Sequence, residues 1–122
     1  MARILVIEDD EHIWNIIQYK LKSENHEPIW ANDGLKALRK LEKIKLDLII
    51  SDIMVPYLDG LQILKKIKKK DELKDIPVIM LTSKSQEKDV LIGLELGAQD
   101  YITKPFSPAE LILRVNKVLR SK

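Results

Sequence analysis

The sequence predicts an α/β domain built on a doubly wound parallel sheet, and three observations carry that reading. Five short apolar runs alternate with five stretches of helical periodicity, the pattern of strands joined by crossover helices. The central run, Leu48, Ile49 and Ile50, is too apolar for a sheet with one wet face and belongs to a strand covered on both sides. Most of these runs stop at a side chain able to do chemistry, and ligands bind at the carboxyl ends of the strands in an open parallel sheet.

The first strand occupies residues 3–7 and runs straight into Glu8, Asp9, Asp10 and Glu11, after which a helical period begins at Ile13, Ile17 and Leu21. Residues 28–31 form a weaker strand; Pro28 places it at a sheet edge, and Asn32, Asp33 and Gly34 turn the chain. Leu35, Leu38 and Leu41, with Ala37 and Ile44, predict a second, amphipathic helix. The central strand, 46–51, delivers Asp52 to a loop that passes Pro56 and Gly60. A third helix over 61–69 buries Leu61, Leu64 and Ile67 and keeps its lysines in water.

Pro77 opens a fourth strand over 78–81, which ends in Thr82 and Ser83. The helix over 87–96 stops at Gly97, where a left-handed cap is favoured. A fifth strand over 101–103 ends at Lys104 and Pro105. Ser107, Pro108 and Glu110 spell the next helix start: an N-cap hydroxyl, a proline at the first helical position and a reciprocal glutamate. Leu111, Val115 and Val118 are its buried face. Right-handed crossovers and five strands suit the order 2-1-3-4-5, the flavodoxin-like arrangement, with five helices on both faces.

Composition sets the bounds. A chain of 122 residues supports one sizeable core, so residues 1–122 read as a single domain. The absence of cysteine excludes disulfides, thiolate metal sites and thiol nucleophiles. No apolar run approaches membrane-spanning length, and a soluble cytoplasmic protein without membrane contact is expected. The net charge of +2, from 21 basic and 19 acidic residues, does not call for a nucleic-acid partner. The lysine run from Lys65 to Lys70 reads as a solvated helix face, because no aromatic residue interleaves with it.

The strand ends assemble a constellation: Glu8 and Asp9, then Asp52, Thr82 and Lys104. Carboxylates on adjacent strands repel one another and persist either by holding protons or by binding a cation. With no histidine or cysteine among them, a hard divalent ion is the natural occupant, Mg²⁺ before Ca²⁺. The lysine and the threonine hydroxyl then serve as donors to phosphoryl oxygens, and Asp52, the acid in the middle, is the candidate nucleophile for an acyl phosphate. Taken singly, each residue has an ordinary explanation: acids at a helix start, a turn-capping aspartate, a threonine in a turn, a lysine at a strand terminus. Their convergence on one edge has none.

The motifs ILVIEDD at 4–10, DLIISDIMVP at 47–56, DG at 59–60, PVIMLTS at 77–83 and GAQDYITKPFSPAEL at 97–111, in this order, resemble the receiver domain of two-component response regulators over essentially the whole chain. The resemblance implies that a sensor histidine kinase phosphorylates Asp52. It further implies that Asp9, Asp52 and the backbone carbonyl of Met54 ligate Mg²⁺, that Glu8 assists through water, and that Thr82 and Lys104 contact the phosphoryl group. The Lys104–Pro105 bond would be cis. Thr82 and Tyr101 would form the switch, with output through the fourth helix, fifth strand and fifth helix. Kinase docking is expected on the first helix, at Ile13, Trp14 and Ile16, with Trp14 on its exposed flank, and on the loop at Pro105 and Phe106.

KPFSPAEL is most similar to receivers that precede a winged-helix DNA-binding domain and pair as phosphorylation-dependent homodimers. Of the three charged pairs that cross such an interface, Asp100 and Arg114 match one. Glu110 matches half of a second, opposite an exposed Val90, and the third falls on the neutral Gln99 and Asn116. DNA would then be bound through a C-terminal domain not in this chain, and the alternative is a stand-alone regulator acting by protein contacts. An aspartate-nucleophile phosphatase of the haloacid dehalogenase type is the remaining rival. It needs a second aspartate two residues after the first, where Met54 stands, so no turnover of external substrates is expected.

Overall fold

A computed structural model describes residues 1–121. Five strands, β1 (Arg3–Ile7), β2 (Glu27–Ala31), β3 (Leu48–Asp52), β4 (Val78–Thr82) and β5 (Asp100–Thr103), pair in the order β2-β1-β3-β4-β5, every pairing parallel. Between and after them run α1 (Glu11–Ser23), α2 (Gly34–Lys43), α3 (Gly60–Lys69), α4 (Glu87–Leu96) and α5 (Pro108–Arg120), with a 3-10 turn at Lys84–Gln86 leading into α4. The expected flavodoxin-like arrangement is the one found.

Alternation along the strands separates two cores. Ile4, Val6, Leu48, Ile50, Ile79, Leu81 and Ile102 face α1 and α5, while Leu5, Ile7, Ile49, Val78 and Met80 face the opposite helices. β3 and β4 are buried at every position, the signature of central parallel strands. Pro28 sits in β2, the edge strand, as its missing N–H requires.

Helix ends follow local chemistry. Asp10 caps α1 by accepting from the N–H groups of His12 and Ile13, and Asp33 caps α2 through Lys36. α3 carries a full reciprocal box that the sequence reading missed: Asp59 accepts from the Gln62 N–H at 2.9 Å and Gln62 accepts from the Asp59 N–H at 3.0 Å. Gly97 ends α4 with φ of 106°, in the left-handed conformation expected of it.

Several expectations need correction. Glu110 does not reciprocate the Ser107 cap; Ser107 accepts from the Glu110 N–H, but the Glu110 carboxylate turns to Arg114 at 3.2 Å. Leu35 is exposed, because residues three apart drift around a helix by about 60° per step, and Ile44 is the C-cap of α2, with extended backbone, beyond the helix end. The buried stripe of α2 is instead Gly34, Ala37 and Leu41, and that of α3 includes Ile63 in place of the half-buried Leu61. Trp14 is not on an exposed flank: it is buried at 9% exposure, its ring stacked on Trp30 with centroids 5.2 Å apart and planes at 5°. Among the described residues no helix is long and apolar enough to cross a membrane.

Candidate functional site

Parallel pairing in the register Ile7 to Ser51 puts the residues that follow β1 beside the end of β3. There Glu8, Asp9 and Asp52 each bring a carboxylate oxygen to within 4.8 Å of the others. Glu8 and Asp52 are buried, at 1% and 6% exposure, while Asp9 is exposed and forms the mouth. Lys104, carried to the same edge by β5, reaches across: its Nζ donates to Glu8 Oε1 at 2.9 Å and to Asp52 Oδ2. Of the acids after β1, the structure divides the labour, since Asp10 is spent on capping α1 and Glu11 lies within its first turn.

Backbone donors hold the carboxylates in place. Met54 N–H donates to Asp52 Oδ1 at 3.1 Å, and Asp10 N–H donates to Glu8 Oε2 at 3.0 Å. The Met54 side chain is exposed. Gly60 lies so close under β3 that a Cβ there would overlap the Asp52 carbonyl oxygen. Burial pushes the Glu8 carboxyl up to about 7, opposed by its hydrogen bonds to Asp10 and Lys104 and reinforced by the Asp52 charge. Burial alone would lower Lys104, but hydrogen bonds to Asp52 and Glu8 and their charges outweigh it and leave the ammonium raised. The donor set fits a hard cation: carboxylate oxygens alone, two of them buried, with charge that one lysine does not balance.

Thr82 is buried beside this cluster but turned away from it. Its hydroxyl donates to the Ser83 carbonyl at 3.1 Å and to Gln86 Oε1 at 3.3 Å, and the same Gln86 oxygen accepts the Ser83 N–H at 2.7 Å. Gln86 is thus a latch on Thr82 that sequence reasoning did not single out. Tyr101 is half-buried, and its hydroxyl donates to the Val90 carbonyl at 2.6 Å. The ring lies over Gly93 of α4, where any Cβ would overlap the phenol oxygen. Burial, with the nearby Asp89 charge, pushes the Tyr101 hydroxyl up. The Lys104–Pro105 peptide is cis, as expected.

The expected docking residues divide. Pro105 is exposed, Ile13, Ile16 and Phe106 are half-buried, and Trp14 is covered. Tyr19, exposed at 78%, is the large apolar side chain that α1 does present to solvent. The expected dimer residues are all on the α4, β5 and α5 side, but Val90 is half-buried rather than exposed. Asp100 and Arg114 are joined within the chain, two bonds of 3.1 Å each, with Glu110 as the third member. Their charges are therefore satisfied without a second copy.

Two further residues that the sequence reading did not assign to the site support it. Trp30 donates its indole N–H to the Glu8 carbonyl at 2.7 Å, so the Trp14–Trp30 stack buttresses the acidic turn. Ser51 donates to the Asp52 carbonyl at 2.9 Å.

Comparison with known proteins agrees with this geometry. The family model described as "Response regulator receiver domain" matches residues 4–116. The chain is 46% identical over 118 residues to the alkaline phosphatase synthesis transcriptional regulatory protein PhoP of Bacillus subtilis, covering 97% of this chain and 48% of that protein. It is 43% identical to the phosphate regulon transcriptional regulatory protein PhoB of Escherichia coli, covering 97% of this chain and 52% of the relative. The chain thus spans about half the length of the curated relatives it matches. A crystal structure of a putative response regulator from Chloroflexus aurantiacus superposes with a TM-score of 0.93 at 31% identity, over 98% of each chain.

Proposed function

The chain belongs to the response regulator receiver domain family, and from that premise we propose that Asp52 is a phosphoacceptor fed by a sensor histidine kinase. The single observation that carries this reading is Asp52 itself, buried at the end of β3 with Glu8 and Asp9 within 4.8 Å and Lys104 in contact. An Asp52 oxygen attacks the phosphorus of a phosphohistidine; the P–N bond breaks, and the electron pair leaves on the imidazole nitrogen, which takes up a proton. Water later attacks the same phosphorus, breaks the P–O bond and returns the carboxylate and inorganic phosphate. This chemistry is self-directed, and the chain turns over no external substrate.

Glu8, Asp9, Asp52 and the Met54 carbonyl would hold Mg²⁺, which when bound neutralises the carboxylates and the transferring phosphoryl oxygens. Lys104 donates to the phosphoryl oxygens from its position against Asp52. Thr82 leaves the Ser83 carbonyl and Gln86 to donate to the new oxygens, and the space beside β4 and α4 then takes the Tyr101 ring. A phosphoryl group brings about −1.5 to −2 charge and three acceptor oxygens, enough to compete for one hydroxyl held by neutral acceptors. Output passes through the α4, β5 and α5 face to a partner or to a DNA-binding domain outside this chain, a reading supported by relatives named as transcriptional regulatory proteins.

Acetyl phosphate with Mg²⁺ should add one phosphoryl mass to the intact protein. Chelation of the metal and the Asp52→Asn variant should each abolish it. A phosphorylated Asp52→Asn protein would refute the assignment.

A further inference from the structure

A second site lies on the other side of β2. A groove of about 660 Å³ runs between the open edge of the sheet and α2, lined by Trp30, Asn32, Lys36, Arg39, Lys40 and Lys43. Its volume is in the range of small-ligand sites. The four cations sit at positions i, i+3, i+4 and i+7 of one helix, hence on one face, and Lys36 and Lys43 are separated by about 10 Å of helix axis.

Like charges at this spacing destabilise a helix, and nearby carboxylates would ordinarily relieve them. None lines the groove, and among the described residues none of the four cations enters an ion pair, whereas Arg3, Lys20, Lys74, Lys104 and Arg114 all do. Basic residues beside an edge strand also discourage strand pairing, but that role explains neither of the groove's other two features. Asn32 has a buried side-chain oxygen with no hydrogen-bond partner, an acceptor in want of a donor. Trp30 is half-buried, one face against Trp14, and contributes an aromatic wall; Ile44 adds an apolar one.

We propose that the groove between β2 and α2 binds a nucleoside polyphosphate, with the phosphates along Lys36, Arg39, Lys40 and Lys43 and the base near Trp30 and Asn32. Cations alone would take any anion; the indole and the orphaned acceptor select one that carries an aromatic ring with amino hydrogens. Trp30 also donates to the Glu8 carbonyl, so an occupant of the groove touches a residue that supports the acidic turn of the acceptor site. The proposal stands apart from the phosphoacceptor reading.

The test is calorimetric titration of the full chain with ATP in EDTA, so that metal-bridged binding at Asp52 is excluded, with tryptophan fluorescence as the second readout. Trp14 and Trp30 are the protein's two tryptophans, so a change in emission reports on this stack. Saturable 1:1 binding is expected, weakened about tenfold or more by Arg39→Glu with Lys40→Glu. The same charge reversal on α3, Lys66→Glu with Lys69→Glu, should leave it within about twofold, both proteins keeping the native circular dichroism. Pyrophosphate and adenosine should each bind more weakly than ATP. The proposal is overturned by no saturable binding at about 10 mM ATP, by equal weakening from the α3 variant, by pyrophosphate binding as tightly as ATP, or by an acidic peptide outcompeting it.

Discussion

Asp52 ends a strand buried at every position, whereas α4 buries only Gly93 and leaves Leu91, Ile92 and Leu94 exposed at 61%, 46% and 49%. The Asp52 carboxylate is fixed from several sides: the Met54 N–H, the Lys104 ammonium and the close approach of Gly60 all locate it. α4 is attached through contacts with α3 and through one phenol, the Tyr101 hydroxyl on the Val90 carbonyl. Local opening costs least where few apolar contacts are buried. A charge placed on Asp52 therefore meets a pocket that holds it on several sides, whereas α4 is the element with few buried contacts to give up. The molecule thus sets a firmly held carboxylate at the end of β3 against a lightly held helix, α4.

The largest effect should come from breaking the rigid side. Trp14→Ala removes a covered ring from the α1 core and unstacks Trp30, and it is expected to cost about 3–5 kcal/mol in urea unfolding. Leu91→Ala on α4 should stay within about 0.5 kcal/mol of wild type. Comparable losses at both positions would erase the contrast between the two regions.

The Trp14 result also marks where the sequence stopped being legible. Strand order, caps at Ser107 and Gly97, and the gathering of Glu8, Asp9, Asp52 and Lys104 follow from local signals: apolar runs, cap residues and the chemistry at strand ends. Helical spacing placed Ile13, Ile17 and Leu21 inward, and Trp14 one step away from them, on the flank. Only the packing of β2 against α1 brings Trp30 to that flank and covers it, and no periodicity within one helix reports a partner on another element. The Gln86 latch on Thr82 and the Gly93 seat under Tyr101 escaped notice for the same reason. The Asp59–Gln62 box is different: it is written in the sequence as an acceptor three residues before a glutamine, and the DG pair at 59–60 reads there as a family motif rather than as a helix cap.

A smaller change sharpens the comparison on the loose side. Gly93→Ala puts a methyl where the Tyr101 oxygen lies, so the ring must leave and the hydroxyl must give up the Val90 carbonyl. Overpacking of this kind costs about 1–3 kcal/mol. Phosphorylation of Asp52 by acetyl phosphate should survive, while α4 amides exchange faster and the Tyr101 ring resonances shift. Unchanged ring resonances would mean that Tyr101 does not report on α4.

The pocket's hold on its own charge shows in how it trades protons for a cation. In the metal-free protein Glu8 has its carboxyl raised to about 7 from 4.5, chiefly by burial. A raised acid holds its proton more firmly in the folded state, so its contribution to stability is complete below 4.5 and is lost as the pH climbs through about 7. A divalent cation reverses the preference, because it binds the carboxylate and must displace the proton. Mg²⁺ affinity should therefore fall by up to about tenfold per pH unit below 7, with close to one proton released per ion at pH 6. Calorimetry in two buffers of different ionisation enthalpy reads that proton directly. In Glu8→Gln the release should vanish and the pH slope flatten, since Asp52 and Asp9 would then be the only pocket acids left to meet the ion. Equal proton release in both proteins would place the titrating group elsewhere and leave the buried carboxyl of Glu8 ionised throughout, with Lys104 alone offsetting it.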